Sequence, residues 1–599
     1  MTDAAPANPS LSNAQAPVER RRRVEDPRAH VALLVACSAF LLLGAFHGNT
    51  WYDESFSVAL VKWPLADVWR IDSADVHPPL YYLALHVLYL LFGSNVTVYR
   101  LFSVTGAVAT GALGLTHVRR DYGARVGMTF TLLACTMPNL VYYATQIRMY
   151  SWVTFSVTLC FLEACRIREA VRTGRPVARR AWAALALAGL ASAYLHYYGA
   201  MAAFLVNVLL LGSLARAARG GRGGAVRGAT VDGAGAAGSP KPGRPGRAAN
   251  VTAPVAAAAT TDGMGPVAAA ARRALLVQLA LAAAQLAAFA PWAVALLGQM
   301  GGISRGGYWI SLDFPVSYLQ ILAAPLLADR FIWGLVDGQA WVQGAPPTLW
   351  LVALVLAAGM VAAVVRNTRS NRPAARWAGL VGMAVYLGVI ALAWLAGTLV
   401  HTPILFYRYM AVAAGPLLLS VSLALGGARH AAARYVCAAV VLAFSARCQA
   451  DALPAAYSPE NAAPGQALAR IVGEPGGSEA TPVIASDYTM MGELNVEHPE
   501  IAQTYPNWLM HYWNGAYEAY APAATMVDDV VDTPLGTSGK IVFMAEKPED
   551  EAVRRAEDFS NMLSAQTGSG QLRVTSVESY RRPYDKRIYT FVTLERGEP

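Results

Sequence analysis

Eleven stretches of this chain are apolar enough to cross a bilayer as helices, and arginine-rich loops separate many of them. They cover residues 31–47, 97–117, 126–143, 149–165, 181–196, 198–215, 274–297, 349–366, 377–400, 409–427 and 434–450. A spanning helix needs about 20 predominantly apolar residues. Two further stretches, 79–93 and 316–334, are shorter or interrupted. Only 15% of the 599 residues are charged, against roughly 25% in a soluble domain. The pattern excludes a water-soluble enzyme and predicts a polytopic, α-helical membrane protein. The net charge of +9 sits largely in loops between apolar runs. It therefore reads as an orientation signal rather than as a footprint for nucleic acid.

The basic loops set a topology. Residues 119–125, 166–180, 216–273, 366–376 and 429–434 carry the arginines. If all of them face the cytoplasm, the eleven strong segments alternate without conflict. The weak stretches 79–93 and 316–334 then lie along the outer interface or re-enter it. Thirteen helices would turn several arginine-rich loops outward, against the positive-inside bias. Both arrangements leave the N-terminus inside and the C-terminal region outside, in a plasma membrane.

The flanking regions differ in kind. Residues 1–29, with Arg20 to Arg23, read as a disordered cytoplasmic tail. The run after it has no clear cleavage site and reads as an uncleaved first helix. Residues 30–452 form the membrane domain. Within it, 216–273 is low-complexity Gly, Ala, Arg and Pro, a flexible cytoplasmic loop. Residues 455–599 carry strand-length apolar runs at 482–485, 540–544 and 587–592, and a helical pattern over 548–564. This alternation predicts a small α/β domain. The six cysteines lie in or beside apolar runs and form no metal or disulfide pattern.

Ionisable groups at a membrane are costly and point to function. The outer loop 48–78 is unusually rich in them. Trp51, Tyr52, Asp53, Glu54 and Ser55 follow the first helix, and Asp72, Asp75 and His77 precede Pro78-Pro79-Leu80-Tyr81-Tyr82. A carboxylate at the mouth of an apolar cavity can take a proton from a hydroxyl. Taken singly, Asp53 or Asp75 could equally cap a helix. A second set suits an anion. Tyr142-Tyr143-Ala144-Thr145-Gln146-Ile147-Arg148-Met149-Tyr150, His196-Tyr197-Tyr198, Arg305 and the Tyr407-Arg408-Tyr409 entry to a late helix all fall on the outer side. Arginine's planar fork matches phosphate oxygens, although belt tyrosines with a snorkelling arginine would look similar. In the C-terminal region Asp487, Tyr488, Glu493, His498, His511, Tyr512 and Trp513 could serve a sugar or simply a core.

The order WYDES, DVHPPLYY, YYATQIRMY and RY entering a late helix resembles the GT-C glycosyltransferases. Within them it is most similar to the branch of the protein O-mannosyltransferases and the lipid A aminoarabinose transferases. The resemblance covers about residues 30–450. It implies a GT-C membrane domain of about 11–13 helices, with the small extracytoplasmic α/β domain following it. Where the family often shows Gln-Glu-Ala-Arg, this chain has Thr145-Gln146-Ile147-Arg148. A metal or acceptor role of that glutamate is therefore in question here.

The resemblance further implies an inverting transfer of a sugar from a polyprenyl-phosphate carrier to a hydroxyl acceptor. Asp53 would be the base, with Glu54, Asp75 and His77 beside it. Arg148, Arg408 and Tyr409 would hold the donor phosphate. Tyr52, Tyr81, Tyr143, Tyr150, His196 and Tyr197 would line the substrate site. No cofactor is required; a divalent metal is open, since Asp53, Glu54, Asp75 and His77 offer ligand atoms but their spacing fixes no shell. The sugar and the acceptor (protein, cell-wall glycan or glycolipid) stay open. The alternative is a transporter or flippase of lipid-linked sugars, which predicts an internal repeat that the sequence does not display.

Overall fold

The computed structural model describes residues 26–220, 266–306, 310–326, 347–427, 431–473, 481–506, 515–529, 532–534, 539–568 and 570–596. Most of the N-terminal tail, most of the 216–273 loop, the second half of the 316–334 stretch and His511, Tyr512 and Trp513 lie outside the described residues.

The membrane domain begins with α1 (Pro27–Leu42). Asp26 accepts a hydrogen bond from the Arg28 amide at 2.9 Å, and Pro27 opens the first turn, the favoured chemistry of a helix start. Next come α2 (Tyr52–Leu60), α3 (Leu65–Asp72), α4 (Leu80–Phe92) and α5 (Val96–Tyr122). They are followed by α6 (Ala124–Thr136), α7 (Pro138–Ala144), α8 (Tyr150–Arg172), α9 (Arg179–Leu195) and α10 (Tyr197–Gly220). Then come α11 (Pro266–Gly306), α12 (Val316–Ala323), α13 (Pro347–Thr368) and α14 (Pro373–Leu399). A 3₁₀ segment Tyr407–Ala413 leads into α15 (Ala414–Gly426), and α16 (Ala432–Ala456) closes the bundle. Among the described residues seven helical segments are long and apolar enough to cross a membrane. The chain is a multi-pass α-helical membrane protein.

One expected segment is broken. Residues 126–143 form two helices rather than one, because Pro138 lacks an amide proton and holds Met137 extended, with ψ 122°. The break leaves α7 short, and residues 146–150 after it, including Arg148, are buried. Elsewhere close approach selects small residues. A Cβ on Gly415 would lie 1.7 Å from Thr158 Oγ1, so the Thr158 side chain of α8 seats directly against the α15 backbone.

Helix ends sort into two groups. At one end, α5 begins beside residues 49–54 and 145, Tyr198 bonds the Ile404 carbonyl, and Asn49 bonds the Ala456 carbonyl. At the other, His117 meets Glu163, and Arg366 bonds the Gly427 carbonyl. The weak stretch 79–93 forms α4, of 13 residues, about 20 Å long against an apolar core of about 30 Å. Both of its ends meet the first turns of α5: Tyr81 bonds Ser103 at 2.6 Å, and Tyr99 bonds the Gly93 carbonyl at 2.8 Å. Helix α4 is thus tied at both ends to the start of α5.

After α16 and α17 (Ala463–Val472), six strands make one sheet in the order β3-β2-β1-β4-β6-β5. They are β1 (Val483–Ala485), β2 (Gln503–Pro506), β3 (Ala524–Val527), β4 (Lys540–Ala545), β5 (Leu572–Arg581) and β6 (Ile588–Arg596). Strands β1 to β4 pair in parallel, and β6 runs antiparallel to β4 and β5. Helix α18 (Tyr488–Glu497) packs against α2. Helix α19 (Glu549–Thr567) covers the sheet with Phe559 and Leu563 against Ile541, Phe543, Val592 and Leu594. Its acidic first turn and left-handed Gly568 at its end are sound helix boundaries.

Candidate active site

Helix α2 sets two adjacent carboxylates in opposite circumstances. Consecutive helical residues point about 100° apart, so Glu54 turns into the protein while Asp53 stays at its edge. The Glu54 side chain is fully buried and its Oε1 accepts from Arg100 at 2.7 Å and from the Ile147 amide at 2.8 Å. Its Oε2 accepts from Arg100 at 2.9 Å, Tyr584 at 3.1 Å and the Trp51 amide at 3.3 Å. Arg100 also donates to the carbonyls of Asn49 and Thr145. Glu54 therefore has its acceptor capacity filled and ties α2 to α5, to the 145–149 loop and to the C-terminal domain.

Asp53 keeps 23% of its side chain exposed, and its Oδ2 accepts from Arg408 Nη1 at 3.0 Å. The Arg408 guanidinium lies 4.8 Å from the Trp51 ring centre, a cation–π arrangement. Arg148, fully buried, donates to the Asp53 carbonyl at 3.2 Å and to Tyr82 at 2.8 Å. It also lies 3.1 Å from His77 Nε2. His77 Nδ1 is 2.9 Å from Asp75 Oδ2, so Asp75 holds the proton on Nδ1 and Nε2 faces the guanidinium. Burial opposes the charge on Asp75, but the His77 hydrogen bond, with Arg148, outweighs it and holds that carboxyl below the usual range. Asp72 is buried, and neither of its oxygens has a partner among the described residues. Burial, with the Asp75 charge, pushes its carboxyl well up.

The expected aromatic residues divide. Tyr150, His196 and Tyr409 stack in series: His196 is 5.8 Å from Tyr150 and 5.0 Å from Tyr409, and 5.8 Å from His77. Tyr143 lies behind them, 4.7 Å from Tyr150. Tyr52 faces the C-terminal domain, 4.8 Å from Tyr488. Tyr197 bonds Gln299 and accepts from Trp292 at 3.0 Å, anchoring α11. Tyr81 bonds Ser103 inside the core, with its ring 6.0 Å from that of Tyr82. Gln146 is buried as well. The side chain of Arg305 lies outside the described residues.

The C-terminal domain grips this loop. Arg582, fully buried, donates to the Thr50 carbonyl at 2.9 Å and to Glu493 at 2.5 Å, and also meets Glu497 and Asp585. Tyr584 bonds both Glu54 and the neighbourhood of Arg100. Outside, Arg70 and Glu518 form a two-fold contact at 2.7 Å. Three carboxylates share Arg582. Burial pushes Glu493 up to about 8, with the Arg582 charge pulling against it. Folding raises this pKa, so its contribution to stability is complete below the unfolded value and disappears as pH rises through about 8. The expected outcome is a melting temperature that falls from about pH 5 to about pH 8 and levels off above that. Glu493→Gln should flatten that fall, as read by thermal unfolding of the detergent-solubilised chain.

Metal ligation finds little support in this donor set. Among the described residues no three His, Cys, Asp or Glu side chains converge on one point. Asp53 faces Arg408, Glu54 faces Arg100, and His77 lies between Asp75 and Arg148. A divalent cation would have to displace guanidinium groups to reach these oxygens, so the residues present do not fit one.

Sequence reasoning missed Arg100, Arg582 and Tyr584, and it named Tyr82 in a motif without giving it a role. Arg100 carried a usable signal, since it is a lone charge entering an apolar helix. Tyr584 and Arg582 carried none: their hairpin between β5 and β6 is polar and ordinary in sequence.

No family model matches the chain, and no curated protein does. Among solved structures, it is similar to ArnT from Cupriavidus metallidurans in the apo state at 13% identity, covering 94% of this chain and 97% of that one, with a TM-score of 0.38. It is similar also to ArnT from the same organism bound to undecaprenyl phosphate, at 14% identity and the same coverage, with a TM-score of 0.35.

Proposed function

We propose that this chain is an inverting glycosyltransferase that moves a sugar from a polyprenyl-phosphate carrier to a hydroxyl acceptor at the outer membrane face. One observation carries the reading: of the Asp53–Glu54 pair only Asp53 is reachable, and the cation bound to it, Arg408, is reachable too, at 11% exposure. A donor phosphate that takes Arg408 away from Asp53 leaves a free carboxylate next to the sugar. Asp53 then accepts the proton of the acceptor hydroxyl. The acceptor oxygen forms its bond to the anomeric carbon as the bond from that carbon to the phosphate oxygen breaks. The leaving phosphate carries its own negative charge, so no acid is needed, and Arg408 offsets that charge. Arg148 and His77 position the first turn of α2, which carries Asp53, and Tyr150, His196 and Tyr409 offer an aromatic wall. The positive-inside bias supports an outward position for this end of the bundle, with the C-terminal domain.

The test uses membranes containing the chain, labelled synthetic polyprenyl-phosphate sugars and the native acceptors present. Label should pass from carrier to product. Arg408→Gln should slow transfer by about 10²–10³-fold, the usual effect of losing one charge-stabilising donor, and Arg408→Lys should restore part of it. Carrier-linked sugar crossing sealed vesicles with no product formed would instead indicate a flippase.

A further inference from the structure

At the bundle end opposite Asp53 lies a cavity of about 1390 Å³ between α5, α6, α13, α14 and α15. Arg100 and Asp121 stand near the two ends of α5, about 31 Å apart along its axis, so the two sites are separated by one bilayer core. Arg125, Arg366, Arg369 and Arg372 line the cavity. Arg366 donates to the Gly427 carbonyl at 3.0 Å. The side chains of Arg125, Arg369 and Arg372 have no hydrogen bond or ion pair among the described residues. The one carboxylate in the lining, Asp121, is engaged by Arg120 at 2.7 Å and faces Arg166 at 3.9 Å. It therefore does not cancel the four arginines.

Positive-inside bias alone explains arginines in these loops, but not their convergence on one cavity. Nor does it explain the apolar part of the wall. Leu423 and Val365 belong to the lining, and Val365 is 42% exposed on the flank of α13. The cavity is thus basic where the helices end and apolar where it meets the bilayer, and it is wide enough for a headgroup with the first part of its chains. A soluble anion would use only the first feature.

We propose that this cavity binds an anionic phospholipid, with its phosphate among Arg125, Arg369 and Arg372 and its proximal acyl chain against Val365 and Leu423. Basic pockets between helices on the cytoplasmic side are suited to such headgroups. The proposal does not depend on the transferase reading, and its test reads binding without activity.

The full chain is purified with a labelled phosphatidylglycerol and its retention is measured against unlabelled competitors. Unlabelled phosphatidylglycerol should displace the label, while phosphatidylcholine and glycerol phosphate should not. Arg369→Gln/Arg372→Gln should weaken retention by about thirtyfold, from two surface arginines. Arg179→Gln/Arg180→Gln removes the same charge from a loop outside the cavity and should leave retention unchanged. All four side chains are exposed or at loop ends, and unchanged melting confirms that the variants fold. Equal displacement by glycerol phosphate would assign a soluble phosphate instead and overturn the proposal. Equal displacement by phosphatidylcholine, or equal loss in both double variants, would overturn it as well.

Discussion

Asp53→Asn should lower sugar transfer by about 10²–10⁴-fold, the range for removal of a general base, while the chain stays folded. The side chain makes one hydrogen bond, to Arg408, at the edge of the protein. Asparagine keeps its size and can still accept from that arginine, so the fold has little to lose. What disappears is the capacity to take a proton. The measurement is the initial rate of label transfer per folded molecule, with folding checked by melting temperature. Donor binding should persist, because Arg408 is no longer held by a charge. Equal rates in wild type and variant would remove Asp53 as the base and leave the proposed chemistry without its acceptor of the proton.

Arg100→Leu should have the largest effect on stability. It leaves Glu54 charged and buried with only neutral donors, and breaking one partner of a buried pair costs about 3–5 kcal/mol. Loss of the pair also frees the Asn49 and Thr145 carbonyls and the contact with Tyr584. The double variant Glu54→Leu/Arg100→Leu should recover a large part of that loss, since replacing both charges by apolar groups is often close to neutral. Unfolding in detergent would display this directly. A double variant as unstable as Arg100→Leu would mean that the carbonyls held by Arg100, rather than the charge on Glu54, dominate.

The contrast between these two variants bears on how the site is built. Asp53 and Glu54 are neighbours in sequence and equal in chemistry. Helical phase alone separates them: one enters the core and becomes a bolt, while its neighbour stays at the rim and remains reactive. The C-terminal domain adds to the bolt, through Tyr584 on Glu54 and Arg582 on the Thr50 carbonyl. A domain that sequence reading left without a role thus helps to hold the loop that carries the candidate base.

Local sequence determined a good deal of this protein. Long apolar runs demand spanning helices, because a backbone in lipid must satisfy its own hydrogen bonds. The runs at 482–485, 540–544 and 587–592 are strands, and 548–564 is helical, as their patterns require. The packing of α4 was open in sequence, and its contacts tie both of its ends to the start of α5. Tertiary structure alone decided the rest. Pro138 split one expected helix, and an apolar run by itself does not show where its axis turns. The pairing of Asp53 with Arg408 joins residues 355 positions apart, and that of Glu54 with Tyr584 joins residues 530 apart. Such contacts depend on how many helices pack between them. Residue type and spacing could nominate the charged groups. Only the packed bundle decided which carboxylate is neutralised inside it and which is left at the surface to react.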